Sequence, residues 1–324
     1  NSKVMLCIDI AYPTVKEIVK NTQLEKVIVV SATKSMTKLI NFFYWLTSGR
    51  KINVKEDKIF ISYNHFYSKS NLIEKDPYEE VKSTDPAVIL YSGGTSGKSK
   101  GIMLSNYNFN ALSLQARYMA TPNDKGDTIL CILPMFHGFG LGVCMHTTLC
   151  IGMKCVLIPQ FNFKDFKKMI KHYKPNFLVG VPTLLENMTN AKEFKKIDFS
   201  CVKNVISGGD TLSPELKKKI DDFLFEKGST AKVRAGYGLT ESSSACCLSL
   251  TNEFRDHCIG LPFPDMKFKI VEPYTQTEVE PFKSGEICIN GPTVMLGYYN
   301  NEKETNDALR IHSDGNVWLH SGDI

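Results

Sequence analysis

Two short stretches of this sequence carry residue types that handle phosphate. The first, Ser92 to Gly101, reads SGGTSGKSKG, a run of glycines and hydroxyls with Lys98 and Lys100 in or beside it. Glycine lets a backbone turn its amides toward an anion, and Ser and Thr hydroxyls add donors. The run contains Gly-Lys-Ser, as a Walker loop does. Walker spacing, however, asks for a glycine at position 92, where Ser92 stands. A Walker loop also opens a helix whose free amides meet the phosphate. Here the apolar run GIML follows, which predicts a strand, with a helix beginning only at Ser105 or Asn106. The expectation is a strand–loop–strand unit that grips phosphate by another geometry; taken alone, the stretch also fits a Gly/Ser hairpin tip.

The second stretch is GYGLTES, Gly236 to Ser242. A tyrosine between glycines can present its face to a flat base, because no neighbouring side chain stands in the way. Thr240 can donate to a phosphate oxygen, and Glu241 can hold Mg²⁺ directly or through water, the usual mode beside a nucleotide. A strand end with a buried tyrosine is the plain structural alternative. Three weaker signals accompany these. His137 in LPMFHGFG follows an apolar run at a Pro/Gly turn, where a histidine is a core residue or a donor to a carboxylate. In SGGDTLSPEL, Ser207-Gly208-Gly209 ends a strand where backbone can approach a ligand closely. In the final WLHSGDI, Asp323 can accept from two ribose hydroxyls.

The elements that must position these residues alternate. Strand-like runs (LEKVIVVSA, AVILYS, DTILCILP, KCVLIP, PNFLVGVP, VKNVISGG, KVRAGYG) are separated by helical stretches such as YNFNALSLQARYM and FKDFKKMIKHY. That alternation predicts an α/β fold with largely parallel sheets. After about residue 252, short alternating strands (MKFKIVE, GEICING, NVWLH) between Pro and Gly turns predict a small antiparallel barrel or sheet. In LSPELKKKIDDFLF the apolar stripe Leu216, Ile220, Phe223, Leu224 predicts a helix with Ser213 at the N-cap and Pro214 at N1. Its Lys217–Lys219 run reads as a solvated face.

Bulk composition narrows the classes. A chain of 324 residues can bury a large core and carry more than one domain or subdomain. The net charge of +5 comes from scattered lysines without the aromatic interleaving that single-stranded nucleic acid needs. Ten cysteines occur with no Cys-x-x-Cys pair, mostly in apolar segments, the pattern of reduced core thiols in a cytosolic protein. Thr128 to Met153 lacks any Asp, Glu, Lys or Arg. Its proline, histidines and glycines favour a strand, a loop and a packed helix over a bilayer span.

In this order the motifs resemble the adenylate-forming superfamily: acyl-CoA synthetases, 4-coumarate–CoA ligases, luciferase and peptide-synthetase adenylation domains. YSGGTSGKSKG looks like its phosphate loop, GYGLTE like its Tyr-Gly-x-Thr-Glu motif, and WLHSGD like its Trp-x-x-Thr-Gly-Asp motif. GEICINGPTVMLGYYNNEKET resembles the Gly-Glu…Gly-Tyr stretch between them. The resemblance runs from about residue 20 to the last residue. It implies the fold of that superfamily's N-terminal domain: two stacked α/β subdomains with largely parallel sheets (1–252) and a small antiparallel β-barrel subdomain (253–324). It also implies a nucleotide site. Ser92, Gly93, Gly94, Thr95, Ser96, Gly97, Lys98 and Lys100 would handle the ATP phosphates. Gly208, Gly209, Asp210, Gly236, Tyr237, Gly238 and Leu239 would surround the adenine. Thr240 would bind the α-phosphate, Glu241 Mg²⁺ and Asp323 the ribose. His137 would gate an acyl pocket lined by Phe139, Val143, Val181, Ile206, Ser207, Gly208 and Gly236. Three positions depart from the pattern: Ser99 replaces the usual loop proline, Ala235 a Gln or Asn beside adenine, and Ser321 a threonine.

The implied reaction is ATP-dependent activation of a carboxylic acid to acyl-AMP, then transfer to coenzyme A, in the cytoplasm and without membrane insertion. PMFHGFG offers no acidic residue to hold a substrate ammonium, and GFGLGVCM, GVPTLLE and VISGG are apolar. A medium- or long-chain fatty acid is the expected substrate, with an aryl acid as nearest rival. A ligase loading a carrier protein and a catalytically silent nucleotide-binding module are the other readings. Members of the superfamily continue into a lid bearing a lysine that serves adenylation. With Ile324 last and a segment also lacking before the N-terminus, the chain is expected to be a truncated member that binds ATP or acyl-AMP and adenylates poorly.

Overall fold

A computed structural model describes residues 2–31, 42, 46, 54–69, 79–92, 99–251, 255–256 and 258–324. By contact density the chain divides into two units, Asn1–Glu80 and Val81–Ile324. In the first, β1 (Val4–Ile8), β2 (Lys26–Val30) and β3 (Phe60–Ser62) form a parallel sheet in that order. The β-branched run of β2 supplies Val27 and Val29, which pack with Phe60 and with Tyr12 and Val15 of helix α1 (Tyr12–Ile18). A second short helix, α2 (Tyr63–Ser68), is capped by Ser62, whose hydroxyl accepts from His65 N.

The second unit carries every strand and turn that the motifs occupy. Its first elements are the antiparallel pair β4 (Pro86–Ser92) and β5 (Lys100–Ser105), so the lysine-bearing run runs into a strand and not into a helix. Helix α3 (Asn106–Met119) then starts where the sequence predicts. Ser105 Oγ accepts from Asn108 N, and Asn108 Oδ1 accepts from Ser105 N, a reciprocal capping box. Asn108 also donates to the carbonyls of Pro292 and Val294, at 2.7 and 2.9 Å, tying this helix start to the C-terminal third.

A seven-stranded sheet follows. Its strands are β6 (Thr128–Cys131), β7 (Lys154–Leu157), β8 (Phe177–Gly180), β9 (Asn204–Ser207), β10 (Val233–Tyr237), β11 (Cys247–Leu248) and β12 (Leu261–Pro262). They lie in the order β12-β11-β10-β9-β8-β6-β7. The pairs from β7 to β10 are parallel, and β11 and β12 add an antiparallel edge. Strands β6, β8 and β9 are buried throughout, as parallel strands covered on both faces must be. Helices α4 (Phe163–Tyr173), α5 (Pro182–Asn190) and α6 (Pro214–Glu226) pack a phenylalanine-rich core that includes Phe166, Phe194 and Phe199. The acid-free run 128–153 resolves into β6, a loop and a helical stretch, Phe139–Thr147 in π-helical form continuing as one α-turn to Cys150. Among the described residues no helix is long and apolar enough to cross a membrane.

Helix α6 has Ser213 as N-cap and Pro214 in its first turn. Its lysines correct one expectation. Lys218 is solvated beside Asp222, but Lys217 is buried and pairs with Asp221 at 2.6 Å, one turn along.

After residue 252 the texture becomes antiparallel. Strands β13 (Lys267–Val271), β14 (Glu286–Asn290), β16 (Leu309–Ile311) and β17 (Val317–His320) form a four-stranded sheet ordered β13-β14-β17-β16. Between them, β15 (Gly297–Tyr298) leaves this sheet and pairs with β5, followed by helix α7 (Glu302–Ala308). That single excursion brings the C-terminal third against the hairpin of β4 and β5.

Candidate functional site

Because β6, β8, β9 and β10 run parallel, the turns at their carboxyl ends open on one side of the sheet, where open α/β sheets bind ligands. A cavity of about 330 Å³ lies there. The turn after β6 gives it His137 and Phe139, and the helical stretch gives Val143. Ile206, Gly208 and Gly209 come from the end of β9. Gly236, Gly238, Leu239, Thr240 and Glu241 come from the end of β10 and the turn beyond. Among the described residues, its wall carries one acidic side chain, Glu241, one histidine, His137, and no lysine or arginine.

Glycine has geometric reasons at Gly238 on this wall and at Gly138, between the lining residues His137 and Phe139. A methyl on Gly238 would fall 2.6 Å from Ala245 Cα and from the Ser244 carbonyl oxygen, so only a bare Cα lets the turn fold back on itself. A methyl on Gly138 would fall 1.9 Å from Ser244 Oγ. The turn itself, Thr240–Ser242, ends in two non-glycine residues of positive φ, Ser243 at +57° and Ser244 at +83°. Ser243 Oγ donates to the Thr293 carbonyl and secures it.

Tyr237, between the cavity-lining Gly236 and Gly238, and Asp323, 86 positions on, meet off the cavity wall: the phenol donates to Asp323 Oδ2 at 2.7 Å. Burial, then the adjacent Asp323 carboxylate, pushes the Tyr237 phenol well above the ordinary tyrosine range, so it stays a donor. Glu241 is held from two directions. Its carbonyl accepts from Met295 N at 2.8 Å, and its Oε1 accepts from the Tyr298 hydroxyl at 2.9 Å. Burial and the Glu241 carboxylate likewise raise the Tyr298 phenol. Lys100 lies 5.0 Å over the Tyr298 ring and pairs with Glu304 Oε2 at 2.5 Å. A glutamate anchored by a phenol, a threonine beside it and a lysine one ring away form an arrangement suited to a metal-bound polyphosphate.

Several predicted residues lie elsewhere. Gly93, Gly94, Thr95, Ser96, Gly97 and Lys98 lie outside the described residues; Ser92 and Lys100, which flank them, are paired across the hairpin. Ser207 is buried inside the end of β9, off the cavity wall. Val181 caps α5 behind Gly209, its Cγ1 3.7 Å from where a methyl there would sit. Asp210 is exposed and accepts from Thr211 N. His137 Nδ1 accepts from Phe139 N at 3.2 Å, which fixes the ring against its own turn.

Other contributors went unread in the sequence. Tyr298 and Glu304 fall inside the quoted LGYYNNEKET stretch, yet no local pattern says that they meet Glu241 and Lys100. Ser244, a buried hydroxyl with no partner among the described residues, lines the cavity. The remaining lining is mostly apolar, including Ala116 of α3, Ala120 at its C-cap, Met153, Phe177 and Val179, with Asn123, Thr147 and Thr148 as polar members.

Residues 3–299 match the sequence signature of the AMP-binding enzyme family. The chain is 30% identical to a long-chain-fatty-acid–CoA ligase of Bacillus subtilis, over 99% of this chain and 56% of that protein. It is 32% identical to a probable 4-coumarate–CoA ligase of Dictyostelium discoideum, over 93% of this chain and 52% of that one. It thus spans about half the length of these relatives. Among solved structures, a long-chain-fatty-acid–CoA ligase of Archaeoglobus fulgidus superposes with a TM-score of 0.76 at 22% identity, covering 99% of this chain and 59% of that one. ATP-bound MatB from Rhodopseudomonas palustris gives 0.75 at 21%, covering 99% and 56%. The α/β architecture, its antiparallel appendage and this signature agree, and the chain belongs to the AMP-binding enzyme family.

Proposed function

We propose that this chain is the nucleotide- and acid-binding part of an acid–thiol ligase, in which ATP and a carboxylic acid give acyl-AMP and pyrophosphate and a thiol such as coenzyme A then takes the acyl group. The observation that carries this reading is the contact of Tyr237 with Asp323 beside a cavity whose lip holds Thr240 and Glu241. A base laid along the bare Cα atoms of Gly208 and Gly236 would lie beside the Phe139 ring, which already packs against Gly208, with its sugar directed to Asp323. The α-phosphate then falls to Thr240, at the mouth of the apolar cavity where an acid's carboxylate would enter.

The first half-reaction brings two anions together, so the residues present must position oxygens and offset charge. Thr240 donates to a non-bridging oxygen of the α-phosphate. The carboxylate oxygen attacks phosphorus in line, the bond to the bridging oxygen breaks, and pyrophosphate leaves with that electron pair. Lys100 offsets charge on the leaving side. Mg²⁺, when bound, neutralises phosphate oxygens and aligns them. One carboxylate with phosphate and water for its other ligands is the usual protein share of such a site, and Glu241, steadied by Tyr298, fits it.

For the acid, the wall supports a chain or ring without an ammonium group: among the described residues, Glu241, the residue offered to Mg²⁺, is the one carboxylate lining it. A medium- or long-chain fatty acid is favoured over an aryl acid because Ile129, Ile151 and Val179 line the cavity with aliphatic surface and Met153 with a flexible thioether. Residues 1–252 would supply the α/β part and 253–324 the antiparallel part. The test is a thermal-shift panel with Mg²⁺ and ATP. Fatty acids should raise Tm cooperatively with nucleotide, and Glu241→Gln should weaken Mg²⁺-dependent ATP binding. Stabilisation by amino acids alone, or ATP binding indifferent to Mg²⁺ and to Glu241, would overturn the proposal. Retained ATP binding with no response to any acid would favour the silent nucleotide-binding module.

A further inference from the structure

The turn that carries Asp323 is tied to a buried chain of polar groups that the proposed reaction does not use. Gly322, at a φ of +77°, donates its N–H to Glu286 Oε1 at 3.0 Å. Ile287 N donates to the Asp323 carbonyl, and Ser321 N donates to the Ile287 carbonyl. The other oxygen of Glu286 pairs with His320 Nδ1 at 2.9 Å. His320 Nε2 in turn faces His312 Nε2 at 2.9 Å. All three side chains are less than a tenth exposed.

With Glu286 as a carboxylate and both histidines neutral, one arrangement of hydrogens satisfies every contact in this chain. An ionised Glu286 only accepts, so His320 carries its hydrogen on Nδ1 and offers a lone pair at Nε2. His312 must then donate from Nε2, which leaves its Nδ1 bare. His312 Nδ1 is indeed buried with no partner among the described residues. A bare lone pair is tolerable there, whereas a buried N–H without an acceptor costs its full desolvation.

Cys288, His312 and His320 also present donor atoms within 4.8 Å of one another, as a metal site would. A metal on the facing Nε2 atoms would force the remaining hydrogen of His312 onto Nδ1, where nothing accepts it. Ligand histidines normally give that hydrogen to a carboxylate or carbonyl. The geometry therefore favours the hydrogen-bonded chain.

We propose that Glu286 and His320, braced by His312, are positioning residues that hold the Ser321–Asp323 turn in the form that presents Asp323 to the nucleotide sugar. This rests on the reading of Asp323 as the ribose acceptor. Donation runs from His312 through His320 into Glu286, which also accepts from Gly322 N, and a second proton on His312 would leave the Nε2 donor in place but bury an unpaired N–H and a charge at Nδ1. A second proton on His312 would face Lys269 and Arg310 with Asp314 as the nearby acid. Asp314 already accepts from Trp318 Nε1 and Asn316 N and lies 3.8 Å from Lys269 Nζ. Cys288, the remaining titratable neighbour, stays a neutral thiol because burial, then Glu286, pushes it up to about 12. Burial foremost, then the charge of Lys269, holds the His312 imidazole below the ordinary histidine range.

The test compares binding of ATP with that of 2′,3′-dideoxy-ATP, both with Mg²⁺. Wild type should prefer ATP by roughly tenfold or more, the scale of hydrogen bonds to a charged acceptor. Glu286→Gln puts an amide hydrogen against His320 Nδ1 and reverses the chain, stranding an N–H at His312. It should weaken ATP by about fivefold to tenfold while moving dideoxy-ATP less than about twofold. In an Asp323→Ala background, Glu286→Gln should do nothing further. Wild-type preference should decline as pH falls below about 6.5, and His312→Gln, which still donates but does not titrate, should flatten that profile. If Glu286→Gln fails to fold, His320→Gln repeats the comparison. Equal loss for both nucleotides, an undiminished preference in a folded variant, or stoichiometric zinc in the purified protein would overturn the proposal. A wild type without preference would instead remove the ribose reading on which it stands.

Discussion

Tyr298→Phe removes one hydroxyl and nothing else from the grip on Glu241. The ring stays, and with it the buried packing against the β4–β5 hairpin and the Lys100 ammonium 5.0 Å above its face. What is lost is the 2.9 Å bond to Glu241 Oε1. Hydrogen bonds to charged groups are worth about 1.5–3 kcal/mol. Glu241 is only half-buried, so the lower end applies, about 1.5 kcal/mol, or about tenfold in an equilibrium constant. Without nucleotide, water can replace the phenol, and Tm should move little. With nucleotide, a freely rotating carboxylate must be re-ordered around the metal, and losing an outer partner typically costs 10–100-fold in metal affinity. The assay is calorimetric titration of ATP at stepped Mg²⁺. The Mg²⁺ concentration giving half-maximal ATP affinity should rise about tenfold, while binding in EDTA stays at the wild-type level. An unchanged Mg²⁺ dependence, or an equal loss in EDTA, would refute the reasoning, because either result would mean that the phenol does not act through the carboxylate.

Gly238→Ala drives a methyl into the backbone of Ser244 and Ala245, which has no rotamer by which to yield. It should cost about 1–3 kcal/mol in urea unfolding and abolish nucleotide binding by displacing Thr240; a variant as stable as wild type would contradict the turn geometry. Asn108→Ala removes the half of the α3 capping box in which Asn108 Oδ1 accepts from Ser105 N, leaving the Ser105 cap itself, and strips the Pro292 and Val294 carbonyls of their donor, so about 2–4 kcal/mol is expected. Less than about 1 kcal/mol would show that water replaces it. Acid should weaken the protein in two windows. His312, depressed by burial, contributes stability that is complete above its unfolded value of about 6.5 and declines as pH falls. Asp314, lowered to about 2 chiefly by its bond from Asn316 N, contributes above about 3.8 and loses it as pH falls through about 2. Denaturant midpoints at pH 7, 5.5 and 3 should fall in that order, and a midpoint flat from pH 7 to 5.5 would contradict the histidine argument.

Much of this architecture is legible in the sequence, because its signals are local. Apolar runs such as FLVG and NVIS, punctuated by Gly-Gly and Pro, mark buried parallel strands, and Ser105 and Ser213 announce their helices. The lip of the cavity is readable for the same reason: Gly236 to Glu241 is contiguous. What was hidden is non-local. Tyr298 meets Glu241 only because β15 abandons its own sheet for β5, a pairing of two residues that no periodicity announces. Lys217 looked like part of a solvated run, yet its position on α6 turns it inward toward Asp221. Likewise, His312 and His320 are unremarkable in sequence and become a chain only when β16 and β17 pair.

The bond between Lys100 and Glu304 bears on how the proposed phosphate site would meet an anion. An open lysine would attract any passing sulfate, carboxylate or nucleic-acid backbone. Here the ammonium is already matched by an internal acid at 2.5 Å, so an incoming phosphate must outcompete a tethered rival before it collects that charge. A weak monovalent guest gains nothing from such an exchange, whereas a polyphosphate with several negative oxygens does. If Lys100 meets the phosphates as proposed, this pairing disfavours small anions, and charge reversal at Glu304 would be felt first as promiscuity.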